Sequence, residues 1–183
     1  MRRLVLSLLV LALAVPAVAL AVKDLPGDGS LAVDNARGVI VLNVRGGIIG
    51  RMDSGTLDIT DPIAGDGLLP VVRGYQQKFQ LGPRHVQYSG EGDIRFRLIG
   101  GLYRVTINAV GVDVSAVGRG SVVLDGSGFA EQPGRYQING GTWQSMPDES
   151  TGLTLGRSIT AASQGQGQDK DKEKPQGPGG QHG

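Results

Sequence analysis

The chain has 183 residues, of which 31 are glycine and none is cysteine, and its formal net charge is +1. This length fits one ordinary domain, and the absence of cysteine excludes disulfides, thiolate metal sites and a thiol nucleophile. The near-neutral charge argues against a nucleic-acid binder, which is normally strongly basic. Glycine is far above its usual level but follows no G-X-Y period, which excludes collagen.

The N-terminal residues 1–22 have the pattern of a secretory signal peptide. Arg2 and Arg3 form a positive start, an apolar stretch follows, and two A-x-A cleavage candidates lie at 17–21. The same stretch is just long enough to be a retained membrane anchor, which would be the only membrane contact. Both interpretations predict an exported protein that is extracellular, periplasmic or on the outer face of the cytoplasmic membrane.

The C-terminal residues 158–183 have the composition of a disordered polar tail. No apolar residue follows Ala162, and lysines alternate with acidic residues over 169–174, so the charge cancels locally. Such a segment has nothing to bury that would offset the entropy of ordering it. We therefore expect a single folded domain over residues 23–157, which hold 25 of the glycines.

Within this domain, short runs rich in Val, Ile, Leu, Thr and Tyr are separated by glycine-containing turns, and no stretch has helical periodicity. The pattern predicts an all-β fold: a glycine-rich antiparallel β-sandwich or barrel-like domain of about 10–12 short strands. A short β-helix is the alternative architecture. The predicted strands are 38–45, 48–53, 56–60, 69–73, 78–81, 85–89, 93–99, 102–109, 112–117, 121–125, 135–138 and 142–145.

The clearest predicted element is a β-hairpin over residues 93–109. Gly100-Gly101 would supply the two positive φ angles that a type I′ turn requires. In that register Arg97 lies opposite Arg104, and alternation makes one face apolar and the other basic, with Arg95, Arg97 and Arg104. The same order of strand, Gly-Gly and strand occurs around Gly46-Gly47, through either an old duplication or shared composition.

The three arginines Arg95, Arg97 and Arg104 are the predicted binding residues. Like charges that face each other across a strand pair are destabilising unless an anion lies between them, and the planar guanidinium suits carboxylate and phosphate. One interpretation is contact with an anionic envelope polymer or an envelope protein. The interpretation that the sequence favours for these charges is internal pairing, because residues 24–70 carry seven acidic side chains and only three basic ones.

Signals for metal, cofactor or nucleophilic chemistry are weak. His85 is the one histidine of the predicted domain, which excludes a zinc site built from histidines alone. A calcium loop formed by Asp58, Asp61 and Asp66 competes with the ordinary use of aspartate in turns. We expect no metal and no cofactor.

A glycosidic hydrolase would need two carboxylates, one to protonate the leaving group and one as base or nucleophile. The candidates are Glu91, Asp93, Glu131, Asp148 and Glu149, but no spacing selects two of them. Trp143 and Tyr136 flank Gly140-Gly141 in another predicted hairpin, where we expect buried core aromatics rather than a sugar-stacking surface. The sequence therefore predicts an exported, non-enzymatic binding or structural module of the cell envelope, with a secreted carbohydrate-active hydrolase as the alternative.

Overall fold

The computed structural model describes residues 27–127 and 133–156, which form eight antiparallel strands and no helix. This confirms the all-β prediction, and no helix that could cross a bilayer occurs in these two ranges. The predicted signal peptide, the polar tail and Glu131 lie outside the described residues. The strands are β1 (Gly29–Thr60), β2 (Val71–Arg73), β3 (Gln77–Gly82), β4 (His85–Leu98), β5 (Leu102–Asp125), β6 (Arg135–Ile138), β7 (Gln144–Ser145) and β8 (Thr151–Leu155).

Three of these strands are much longer than the sequence predicts. β1 has 32 residues, β5 has 24 and β4 has 14, and together they absorb eight of the predicted short strands. The described part of the chain thus has fewer and longer strands than the 10–12 expected, because glycines bend these strands without ending their ladders. The first residues of β1, 29–36, and the last strand, β8, were not predicted.

The long strands form a ribbon that winds back onto itself. Val39 of β1 pairs with Asn108 on one side and with Asp125 on the other, and Leu42 likewise pairs with both Val105 and Val122. Each pair of partners is 17 residues apart along β5. One turn of the winding therefore takes 17 residues, and β1 lies between two successive turns of β5.

Winding places the strand segments in two rows. The first row contains, in order of pairing, residues 144–145, 135–138, 29–36, 112–118, 46–52, 94–98 and 71–73. The second row contains residues 151–155, 119–125, 38–45, 102–109, 54–60, 85–91 and 77–82. Each long strand contributes to both rows, so neighbours within a row come from distant parts of the sequence.

Glycine is required where the strands cross between the rows. Gly46 has φ +153 and pairs with Gly118, whose φ is +150. A Cβ on Gly46 would overlap the carbonyl oxygen of Val117 and lie 2.8 Å from the Cα of Gly118. Only a residue without a side chain allows the two backbones to approach this closely.

The predicted hairpin at Gly100-Gly101 is wrong. Both glycines do have positive φ, +75 and +53, but β4 and β5 do not pair with each other. Instead β4 pairs with residues 48–60 of β1. The first residues of β5 pair with the preceding residues of β1, 38–45. The two residues with positive φ bend the chain without reversing its direction. Gly46 N donates to Gly101 O at 3.0 Å, so Gly46-Gly47 and Gly100-Gly101 lie next to each other.

The core forms from the alternating buried residues of both rows. Buried side chains of the first row, such as Ile48 and Phe96, and of the second row, such as Leu42 and Ile107, belong to one apolar cluster. No charged or polar residue is buried among the described residues. The outer side of the first row carries several arginines together with apolar side chains such as Ile49 and Val71.

Candidate functional site

An open groove of about 990 Å³ crosses the outer side of the first row. We call this surface the groove face. Its basic lining residues are Arg51, Arg73, Arg95, Arg97 and Arg135, and its acidic lining residues are Asp34 and Asp113. The strand segments that position them are far apart in sequence, from residue 34 to residue 135.

The register aligns most of these charges in one line across the strands. Asp113 pairs with Arg51, Arg51 pairs with Arg95, and Arg95 pairs with Arg73. At the other end of the row, Asp34 pairs with Arg135. Three arginines on adjacent strands thus lie directly opposite one another, which costs stability when nothing anionic separates them.

Aspartates hold three of the five arginines in place. Arg51 Nε donates to Asp113 at 2.7 Å, and Arg135 Nε donates to Asp34 at 2.7 Å. Arg95 binds Asp93 with two nitrogens, at 3.0 and 2.7 Å, a bidentate pair with fixed geometry. The hydrogen bond from Arg95 lowers the pKa of Asp93 below its ordinary value. A general acid for glycoside hydrolysis needs the opposite shift.

Arg73 and Arg97 form no ion pair with any described residue, although both are exposed on the groove face. Arg73 lies opposite Arg95, while Arg97 lies opposite Val71 on one side and Ile49 on the other. Strand spacing and rise place the α-carbons of Arg73, Arg95 and Arg97 about 5–8 Å apart. Two guanidinium groups at this spacing suit one carboxylate, sulfate or phosphate.

The structure separates the three arginines that the sequence placed together. Arg95 and Arg97 line the groove, but Arg104 lies in the second row, where it pairs with Asn43 and Thr60. The predicted opposition of Arg97 and Arg104 is wrong because it assumed the hairpin. None of the three forms an ion pair with a described carboxylate from residues 24–70, so the proposed internal pairing of this face does not occur there.

The aromatic pair around Gly140-Gly141 is divided between core and surface. Strands β6 and β7 pair around this turn, as predicted. Tyr136 is buried and donates to Gln144 at 2.7 Å, whereas Trp143 is 44% exposed at the groove rim. The expectation that Trp143 is buried was wrong: its ring packs on the guanidinium of Arg135, at 4.9 Å, instead of entering the core.

The other candidate side chains do not assemble into a site. Asp58 contacts His85 and Gln87, Asp66 binds Arg45, and Asp61 accepts from the backbone of Ile63. Within residues 27–127 and 133–156 no group of three potential ligands is placed to hold a metal ion. Of the predicted hydrolase carboxylates, Glu91, Asp93, Asp148 and Glu149 are all exposed and none lines the groove.

Known proteins give no indication of function, so we infer function from the chemistry of the groove. No family model, curated protein or solved structure matches this chain. The groove combines fixed arginines, two arginines with no described ion-pair partner, and a floor that includes Ala32, Ile49 and Val71. Such a surface is equipped to bind an extended anion.

Proposed function

We propose that this protein is an exported, non-enzymatic binding module of the cell envelope that binds an anionic polymer on its groove face. The observation that carries the proposal is the alignment of Arg51, Arg95 and Arg73 on adjacent strands, with Arg97 beside them. The N-terminal sequence supports export.

Charge supports the assignment to this face. Five arginines and two aspartates line the groove, and the aspartates are already bound to Arg51 and Arg135. A bound anion would satisfy Arg73 and Arg97 and would relieve the repulsion between Arg73 and Arg95. Burying part of the apolar floor would add to the affinity.

We also infer that the wound ribbon closes as a jelly-roll β-sandwich, in which a long hairpin-like ribbon is rolled into two facing sheets. The support is the order of segments in the two rows together with the single apolar cluster to which both rows contribute. A sandwich of this kind is rigid and suits a preformed binding surface.

The proposed function predicts that binding of linear polyphosphate and of heparin depends on the two arginines with no described ion-pair partner. The double variant Arg73→Ser/Arg97→Ser should bind both probes at least about tenfold more weakly, because two charge-assisted contacts of roughly 1 kcal/mol or more are lost. Titration calorimetry at low and at physiological salt would measure this, and raised salt should weaken the wild-type protein.

Arg104→Ser is the matched control, since Arg104 is another exposed arginine without a described ion-pair partner but lies in the other row. We expect its affinity to stay within about twofold of wild type. Neutral dextran should not bind any of the proteins. Equal losses in the double variant and in Arg104→Ser, or retention by the double variant, would contradict the assignment.

A further inference from the structure

The groove has two chemically different ends. At one end lie Arg73 and Arg97, which carry no described counter-ion, and at the other end Trp143 stands at the rim beside Arg135. Residues 135 and 73 lie on two segments of the first row that have four other segments between them, and β7 pairs with the other edge of β6. Five strand spacings separate them, about 24 Å.

Trp143 is held in place as an exposed aromatic surface. Its ring packs against the guanidinium of Arg135, which is itself fixed by the 2.7 Å hydrogen bond from its Nε to Asp34. The indole remains 44% exposed, although burial would be favourable for so large an apolar ring. An exposed and fixed indole offers a stacking face for a ligand with a flat, CH-rich ring.

The floor between the two ends is suited to rings as well as to charges. Ala32 pairs with Ser115, Ser115 with Ile49, Ile49 with Arg97, and Arg97 with Val71. Apart from Arg97, the side chains of this line are small or apolar, and the line lies two residues along the strands from the line of Arg51, Arg95 and Arg73. A ligand lying across the strands therefore meets apolar contacts and guanidinium groups side by side.

We propose that the groove ligand is an acidic glycan, a chain of sugar rings bearing carboxylate or sulfate groups. Its acidic groups bind at Arg73, Arg95 and Arg97, and a sugar ring stacks on Trp143 beside Arg135, whose strand segment lies about 24 Å from that of Arg73. A polyanion without rings can contact only the arginines, and a neutral glycan can stack only on the tryptophan. This inference rests on the proposed function and specifies the ligand class for the same site.

The test compares acidic oligosaccharides with a polyanion that lacks rings. Oligogalacturonate supplies carboxylates, a heparin-derived octasaccharide supplies sulfates, and linear polyphosphate of similar charge supplies no ring. Trp143→Ala should weaken binding of at least one acidic glycan about tenfold and leave polyphosphate within about twofold. Trp143 is the only tryptophan of the chain, so its fluorescence should change with that glycan and not with polyphosphate.

Two controls keep the result interpretable. Trp143→Phe retains a stacking ring and should recover most of the affinity, and Phe79→Ala removes another exposed aromatic, 48% accessible, that does not line the groove. Thermal unfolding of each variant verifies that it is folded. Preference for oligogalacturonate or for the heparin fragment identifies the acidic group.

The outcomes separate the two proposals. If all probes bind through Arg73 and Arg97 but Trp143→Ala binds the glycans as tightly as wild type, the glycan inference is overturned and the anionic groove stands. If Trp143→Ala weakens polyphosphate as much as the glycans, stacking on a ring is likewise overturned. If no probe binds the wild-type protein, the proposed function fails and the inference fails with it.

Discussion

Gly46→Ala is expected to lower the free energy of unfolding by about 3 kcal/mol or more. The added Cβ would overlap the carbonyl oxygen of Val117, a backbone atom of the neighbouring strand that no side-chain rotation can move. Relief requires the Gly46–Gly118 pair to separate, and this pair lies where the ribbon crosses from one row to the other. The melting temperature should fall by roughly 10 °C.

Gly152→Ala is the control for this change. Gly152 lies in β8, its φ is not in the left-handed region, and a Cβ there would meet no heavy atom within 4 Å. We expect its unfolding free energy to change by no more than about 0.5 kcal/mol. Urea denaturation measures the unfolding free energy of both variants. A Gly46→Ala protein as stable as Gly152→Ala would contradict the close crossing of Gly46 and Gly118.

The second large effect concerns the support beneath the groove. Phe96 is buried, and its ring lies over Gly50, its cross-strand partner. A Cβ on Gly50 would overlap Cζ of Phe96 and lie 2.8 Å from the carbonyl oxygen of Asp113. Phe96→Ala should cost about 3–5 kcal/mol through lost burial and a cavity, and Gly50→Ala about 1–3 kcal/mol through overpacking.

These two changes should compensate each other in part. In the double variant Gly50→Ala/Phe96→Ala the new methyl group occupies space that the ring has left, so its cost should be smaller than the sum by about 0.5–3 kcal/mol. Phe79, which is exposed on β3, gives the reference pair: Gly50→Ala and Phe79→Ala should add within about 0.5 kcal/mol. Strict additivity for Gly50 and Phe96 would mean that the ring does not cover the glycine.

Sequence patterns located most of the strands because alternation and glycine are local signals. The same signals did not reveal that predicted strands 38–45, 48–53 and 56–60 are one strand. A glycine such as Gly46 reads as a turn in sequence, but in the fold it permits a close crossing with Gly118, 72 positions further on. Its role is set by a partner that local pattern does not identify.

The Gly100-Gly101 error has the same origin. Positive φ at two successive glycines was expected and is observed, but it is compatible both with a chain reversal and with a bend in a chain that keeps its direction. Which of the two occurs depends on β1, with which β4 and β5 pair one after the other. Both strands pair with β1, which lies far from the two glycines in sequence.

The sequence predicted only part of the candidate site, and the false hairpin register explains one of the wrong residues. Arg95 and Arg97 are two residues apart on one strand, so period-two alternation alone places them on one face. Arg104 was added through the false register, and it belongs to the other row. Arg51, Arg73 and Arg135 were missed as site residues, since only strand pairing over distances of 22 to 101 residues brings them beside Arg95 and Asp34.

The most direct test of the central claim is a backbone amide NMR titration of the wild-type protein with a heparin-derived octasaccharide. Binding in the groove predicts shifts in residues 32–34, 49–51, 71–73, 95–97 and 113–115 and in the indole N–H of Trp143, which line or adjoin it. Residues 41–43, 104–106 and 121–123 on the other row should not shift. Shifts centred on Arg104, with the groove strands unchanged, would contradict the account.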